Sequence, residues 1–365
     1  MVRAERGVLG NSRRSGYFWL EFSNEYAKGD MKEKNFRFVA LDALRGIAAI
    51  AVAIFHYVGG FKGYLAVDFF LVLSGFILSH SYLYRETTFV SFVSHRLARL
   101  YPLHIFTLFT FALVAWAVYE PFPIYKDGNF FTFFQHLTLT QNIGLSPSEI
   151  TWNYPSWSIS VEFWVNVIFV FFITKSTKNA TLLIFSILGF AVIYGNTGHL
   201  DIHSENYYYV LNSGMVRGLA SFFLGILSYR LFLHYRDDPK IQNYSNLLEA
   251  LAIVGGLVSI LAKGEILAPF FFFVIVTVFS FELGYISSAL KRLQYIGTIS
   301  YSIYLNQLTV IMVINTILSE VEMKKMWILF PFLLILMVYS HFTYKYIEKP
   351  FRDKSRDILS RLVNA

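Results

Sequence analysis

Long apolar runs separated by short polar breaks dominate the chain. They fall at 39–58, 63–84, 101–119, 156–173, 180–195, 213–233, 247–262, 266–281, 296–318 and 326–344. A spanning helix needs roughly 17–25 mostly apolar residues, and these runs approach or exceed that length. They are continuous, without the period-two alternation of a transmembrane β-barrel. The pattern predicts an all-α polytopic membrane protein with about ten transmembrane helices. The weakest division lies within 247–281, where only Lys263, Gly264 and Glu265 separate two short runs.

Charge predicts a topology for those helices. With the N-terminal side in the cytoplasm, the inside segments after Met31 carry nineteen Lys and Arg and the outside segments five. Basic residues concentrate in cytoplasmic loops of membrane proteins. An even number of spans keeps the basic tail 354–365 inside, so both termini are expected in the cytoplasm. The same bias explains the formal net charge of +7 without any nucleic-acid partner. Mean hydropathy is +0.49 and charged residues are 15 % of the chain, against about 25 % in soluble domains. Cysteine is absent, which excludes a disulfide framework and any Cys-based metal or redox site; no metal site is expected.

Residues 1–30 hold no apolar core of a signal peptide and match nothing that follows. They read as a disordered tail or as lying upstream of a true start at Met31. Residues 31–353 read as one transmembrane domain. Two outer segments are long. In 120–155 the piece NFFTFFQHLTLT has the pattern of a helix lying in the membrane interface; 196–212 contains GHLDIHSENYYY.

Ionisable residues inside spans cost at least ~2.5–3.5 kcal/mol each at mid-membrane, so each needs a partner or a cavity. In LDALRGIAAIAVAIFHY, Arg45 and His56 are eleven residues apart. On an α-helix that is about three turns plus 20°, so the two share a face on the order of 16 Å apart. Read blandly, Arg45 snorkels or pairs with Asp42 and His56 sits at the interface. Asp68 lies near the depth of His56, and Ser74 and Gly75 interrupt the Phe and Leu run of the second span. They serve helix packing or substrate contact. In HRLARLYP, Arg96 and Arg99 are either positive-inside anchors or a site for an anionic cytosolic ligand. Glu162 lies about two turns into the fourth span, where a buried carboxylate needs a partner, with His56 the natural one. Arg217, in SGMVRGLASFFLG, is a further buried cation. By depth, His56, Asp68, Glu162 and Arg217 group in the outer half and Arg45, Arg96 and Arg99 in the inner half.

With these residues in place, the sequence resembles the acyltransferase 3 family of integral-membrane acyltransferases. The motifs are LDALRGIAAIAVAIFHY, AVDFFLVLSGFILS, RLARLYPLH, SWSISVEFW, RGLASFFLG, YIGTISYSIYL and YIEKPFR, in order from about residue 37 to 353. The resemblance is to the family's stand-alone membrane form, so no fused soluble hydrolase-like domain is expected. The resemblance implies transfer of an acyl group, commonly acetyl, from cytosolic acyl-CoA to a hydroxyl of a sugar in a surface or exported polysaccharide or glycolipid. The setting it implies is the inner (cytoplasmic) membrane, with membrane lipid, acyl-CoA and a glycan acceptor as partners. Acyl-CoA is a donor substrate, and no bound cofactor is expected. It also implies that His56 is the essential histidine, that Arg45 is its companion, that Arg96 and Arg99 serve the acyl-CoA end, and that Glu162 is the acid after SWS. One departure stands out: the motif that often continues YSIYLWH reads YSIYLNQ here, Tyr301 to Gln307. The expected mechanism uses His56 as general base, oriented by Glu162 or Asp68, with Arg217 at the oxyanion and Ser74 in the substrate path. The competing class is a proton-coupled transporter or flippase of a lipid-linked glycan, since buried acids, His and Arg also build proton relays.

Overall fold

The computed structural model describes residues 37–118, 129–145, 151–173, 176–202, 206–207, 211–261, 265–319 and 325–355. The expectations about residues 1–30, most of those about 354–365, and parts of those about 120–155 and 196–212 lie outside them. From Phe38 onward the described chain is one compact unit. It is built of α-helices, with a two-residue antiparallel pair, β1 (Asn206–Tyr207) and β2 (Leu211–Asn212).

The helices are α1 (Val39–Val58), α2 (Ala66–Tyr82), α3 (Phe89–Val118), α4 (Phe130–Leu137), α5 (Trp157–Phe172), α6 (Asn179–Thr197) and α7 (Ser213–Tyr235). They continue with α8 (Pro239–Leu261), α9 (Ala268–Ser280), α10 (Tyr285–Leu290), α11 (Gln294–Thr298), α12 (Ser300–Ile317) and α13 (Lys325–Thr343). A π-helical turn, Tyr344–Glu348, extends α13. Among the described residues eight helices are long and apolar enough to cross a membrane, or nine if a bent pair counts as one span. The chain is therefore a multi-pass membrane protein, with two departures from the ten predicted runs.

The first departure is at 266–281. Here α9 has 13 residues, and the helical path to α11 bends by 82°. The bend turns on Glu282, a non-glycine residue at φ 55°. Its carboxylate accepts from Ala40 N at 2.7 Å, satisfying a free donor at the start of α1, and pairs with Lys291 at 3.2 Å. The second is α12, whose buried Asn306, Gln307 and Thr309 dilute its apolar run. Those polar groups face neighbouring helices rather than lipid.

Helix α3 begins at Phe89, a dozen residues before the predicted 101, and passes through Pro102. Proline removes one backbone donor and opposes the preceding turn, so the sequence read as a start what is a point inside a longer helix. Arg96 and Arg99 therefore sit within this helix, ahead of Pro102.

The core centres on α2, which is buried along most of its length and packs most extensively against α7. Gly75 and Gly225 mark the crossing: a methyl group at either would overlap the facing backbone carbonyl, Phe222 or Val72 respectively. Small residues at such contacts let membrane helices approach closely, which accounts for SGF and for the FFLG of α7. Helix α4 is turned inside out relative to a soluble amphipathic helix. Phe130, Phe131 and Phe134 are exposed while Thr132, Gln135 and His136 are buried. That arrangement fits an apolar surrounding with a polar protein interior, and an Asn129–Thr132 capping box starts the helix.

Candidate active site

Arg45 is held at the corner where α11 meets α12. Its Nε donates to Ser300 Oγ at 2.9 Å and its Nη2 to the Gly297 carbonyl at 2.8 Å, and Asp42 pairs with it at 3.1 Å. The guanidinium thus stays in the protein instead of snorkelling. Gly297 makes this possible, since a methyl there would overlap the Asp42 carbonyl.

Arg45 opens onto a cavity. Arg96, Arg99, Arg352, Glu162, Glu348, Ser74, Ser158, Tyr301 and Tyr304 share the lining. Four arginines face two glutamates in that lining, while Asp42 pairs with Arg45 and Asp353 with Arg352, at 3.8 Å, from outside it. Arg99 has no ion pair among the described residues, and Arg96 rests its guanidinium on the Tyr82 and Phe92 rings at 5.8 and 5.9 Å. Glu162 accepts from Ser74 Oγ at 3.3 Å and lies within electrostatic reach of Arg45 and Arg96. Glu348, carried by the π-helical turn, accepts from Ser302 Oγ at 2.9 Å and pairs with Arg352 at 3.7 Å. Along α2 the cavity runs from Leu78 to Val67, eleven residues or about 16 Å. At its far end Ser158 Oγ and Tyr304 OH are 2.8 Å apart.

Asp68 and Arg217 are not part of this cavity. They bind each other: Nη2 donates to Oδ2 at 2.7 Å and Nε to Oδ1 at 3.0 Å. Ser221 Oγ donates to the same carboxylate at 2.9 Å, and the Tyr64 carbonyl accepts from Arg217 at 3.0 Å. The side chains are 0 % and 1 % exposed. Bidentate pairing of this kind satisfies both charges in a low-dielectric interior. The structure therefore does not bring Asp68 or Arg217 to His56, and Glu162 points into the arginine-lined cavity instead. Similar depth along separate helices did not imply contact.

His56 lies beyond the cavity's far end and does not line it. Its ring meets the Tyr154 ring edge-on at 5.0 Å and the Phe55 ring at 5.4 Å; the Gln307 side chain lies nearby, but Gln307 Oε1 and His56 Nδ1 each lack a hydrogen-bond partner. Gln307 sits one turn after Tyr304 on α12 and donates from Nε2 to the Tyr304 carbonyl at 2.9 Å. The neighbour of His56 is thus the residue at which the sequence departs from the family motif. Asn306, beside it, donates to Thr343 Oγ1 at 2.8 Å and ties α12 to α13.

A second histidine pair lies close by. His104 Nε2 bonds the His136 carbonyl at 2.7 Å, and His136 Nδ1 meets Ser156 Oγ at 3.2 Å. Burial, reinforced by His104, pushes the His136 pKa down to about 3. The neutral ring joins α3, α4 and the SWS turn that leads into α5. Sequence reading overlooked this pair, together with Tyr301, Tyr304, Glu348 and Arg352. The signal was present in PLH, YSIYL and YIEKPFR, but nothing in one sequence says which of their polar groups meet.

The fold and the cavity define a polytopic helical membrane protein with a cation-lined pocket open at one end. Residues 38–343 match the acyltransferase 3 family, described as an acyltransferase domain. The chain belongs to that family and is a membrane acyltransferase. It is also 33 % identical over 173 residues to "Protein 2 in picA locus" of Rhizobium radiobacter, covering 41 % of this chain and 90 % of the relative. No solved structure matches it.

Proposed function

We propose that the protein moves an acyl group, acetyl first, from cytosolic acyl-CoA to a hydroxyl of a surface or exported polysaccharide or glycolipid, in the inner membrane. The observation that carries this reading is the cavity. Its arginines suit a polyphosphate, Arg96 and Arg99 pair with no carboxylate among the described residues, and its length along α2 suits a pantetheine arm of roughly 15–20 Å, about half the membrane's thickness. In this reading the mouth faces the cytoplasm, and both termini lie on that side.

The thioester arrives at the Ser158–Tyr304 end of the cavity, one helix turn short of the residues around His56. His56 takes the proton of the acceptor hydroxyl as the oxygen attacks the thioester carbonyl. The carbon–sulfur bond breaks, the ester forms, and the proton passes to the departing thiolate to give free CoA. Arg45, fixed by Ser300 and Gly297, lies along the donor path with Glu162 and Ser74. Asp68 and Arg217 hold the scaffold.

The test is release of CoA thiol from acetyl-CoA by purified protein in liposomes carrying membrane glycan extract. His56→Ala is expected to abolish release while the protein stays folded in the membrane. Full activity in that variant removes the base. Glycan movement without thiol release favours the flippase.

A further inference from the structure

The far end of the cavity is apolar where its mouth is charged. Along α2 the lining runs eleven residues from Leu78 to Val67, about 16 Å, and the arm of the proposed donor uses up that length. An acyl group at the arm's end comes to lie among Val67, Phe70, Leu71, Ile159 and Tyr304. Two of these rings meet from different helices. Phe70 on α2 and Tyr304 on α12 stand edge-on, their centroids 5.6 Å apart and their planes at 79°. Tyr304 is fixed, because its hydroxyl donates to the Pro155 carbonyl at 3.0 Å and meets Ser158 Oγ at 2.8 Å. Phe70 is held by packing alone. Its side chain packs against three apolar clusters at once, those that contain Phe69 and Leu71, Ala53 and Ile303, and Ile159 and Tyr304. The ring thus has the cavity on one side and close-packed core behind it.

We infer that Phe70 is a specificity-determining residue: braced on Tyr304, its ring ends the donor cavity and limits the transferred acyl group to a few carbons. The inference rests on the reading of the cavity as an acyl-CoA site. A close-packed interior resists added volume. A longer acyl chain has to drive the ring into the clusters behind it, or draw the arm back toward the mouth and take the phosphates off the arginines. A smaller side chain at position 70 opens room at the place where added methylenes would go, and their burial there is favourable. Tyr304 is the less adjustable half of the wall, since its hydroxyl ties α12 to the turn before α5.

The experiment measures thiol release from acetyl-, butyryl- and octanoyl-CoA by the natural protein, Phe70→Leu and Phe70→Ala, normalised to folded protein. One methylene in an apolar pocket changes kcat/KM by about 10–200-fold. The natural protein is therefore expected to favour acetyl- over octanoyl-CoA by at least ~100-fold. Phe70→Leu keeps an apolar filling where the three clusters join, and so guards against loss of the fold. It should raise the octanoyl-to-acetyl ratio of kcat/KM several-fold, and Phe70→Ala should raise it at least ~10-fold. Inhibition by free CoA, which carries no acyl group, is expected to be the same in all three proteins. An unchanged ratio in the folded variants overturns the inference, as does a natural protein indifferent to chain length. So does a loss of CoA inhibition in step with the rates, which would mean that the substitution disturbs the whole cavity. A natural protein that releases thiol from none of the donors sinks the acyl-CoA reading itself, and the role of Phe70 with it.

Discussion

Arg217→Met tests whether a fully buried charge serves structure or chemistry. The variant leaves Asp68 buried with Ser221 Oγ at 2.9 Å as its remaining donor and frees the Tyr64 carbonyl of Arg217. Breaking one side of a buried pair costs about 3–5 kcal/mol, chiefly from the uncompensated charge. Replacing Asp68 by Val, close to Asp in shape, strands the guanidinium at similar cost. In the double variant neither charge is present. What is left is a handful of polar groups, among them the Ser221 hydroxyl and the Tyr64 carbonyl, at about 1–3 kcal/mol for each that finds no new partner. The double variant should therefore lose well under the sum of the two singles, a coupling on the order of 4 kcal/mol. Unfolding of the purified protein in micelles, run as a double-mutant cycle, measures this, and thiol release per folded molecule is followed in parallel. Additive losses refute the structural account. So does an Arg217→Met protein as stable as its parent but without transfer, which would return Arg217 to the reacting atoms.

Two further outcomes follow from the cavity and from the histidine pair. Changing Arg96 and Arg99 together to Ala removes charge-assisted bonds of about 1.5–3 kcal/mol each; KM for acetyl-CoA should rise at least ~10-fold, more steeply at low salt, with little change in kcat. A fall in protein level alone would make them topology anchors. His136 binds no proton in the folded protein until about pH 3, while the unfolded chain takes one near 6.5. Stability should therefore be full above about pH 6.5 and decline as pH falls, by up to ~1.4 kcal/mol per unit from this group. Melting curves between pH 7.5 and 5 should show a slope that His136→Gln reduces.

Much of the fold was legible because the bilayer enforces it: runs such as 39–58 and 213–233 need no partner to be read as helices. The failures came where a remote residue decides the local path. Glu282 bends the chain after α9 because the α1 N-terminus, some 240 positions earlier, needs an acceptor. Among the site residues, burial cost singled out each ionisable group, but cost does not name a partner. Asp68 and Glu162 are both carboxylates at similar depth, and only the packing of α2 on α7, set by Gly75 and Gly225, gives the first to Arg217. Gln307 carried no cost signal at all, being uncharged, and its burial on α12, bonded to the Tyr304 carbonyl, emerges only from the packing.

The distribution of charge that results is itself an argument about the substrates. Arg96 and Arg99, without ion pairs among the described residues, gather with Arg45, Arg352 and Glu348 toward one end of the cavity, Glu162 lies between, beside Ser74 and one turn from Ser158, and the groups around His56 (Gln307 and Tyr154) are uncharged. Asp68 and Arg217 cancel each other outside the cavity. A transporter of a charged cargo would need compensating charge along its whole path, since an ion in a low-dielectric interior is costly at every depth. A donor whose charge stays at the mouth while a neutral arm extends inward needs it at one end only. The asymmetry fits the proposed meeting of a polyanionic thioester with a neutral alcohol in the short uncharged stretch between Tyr304 and His56.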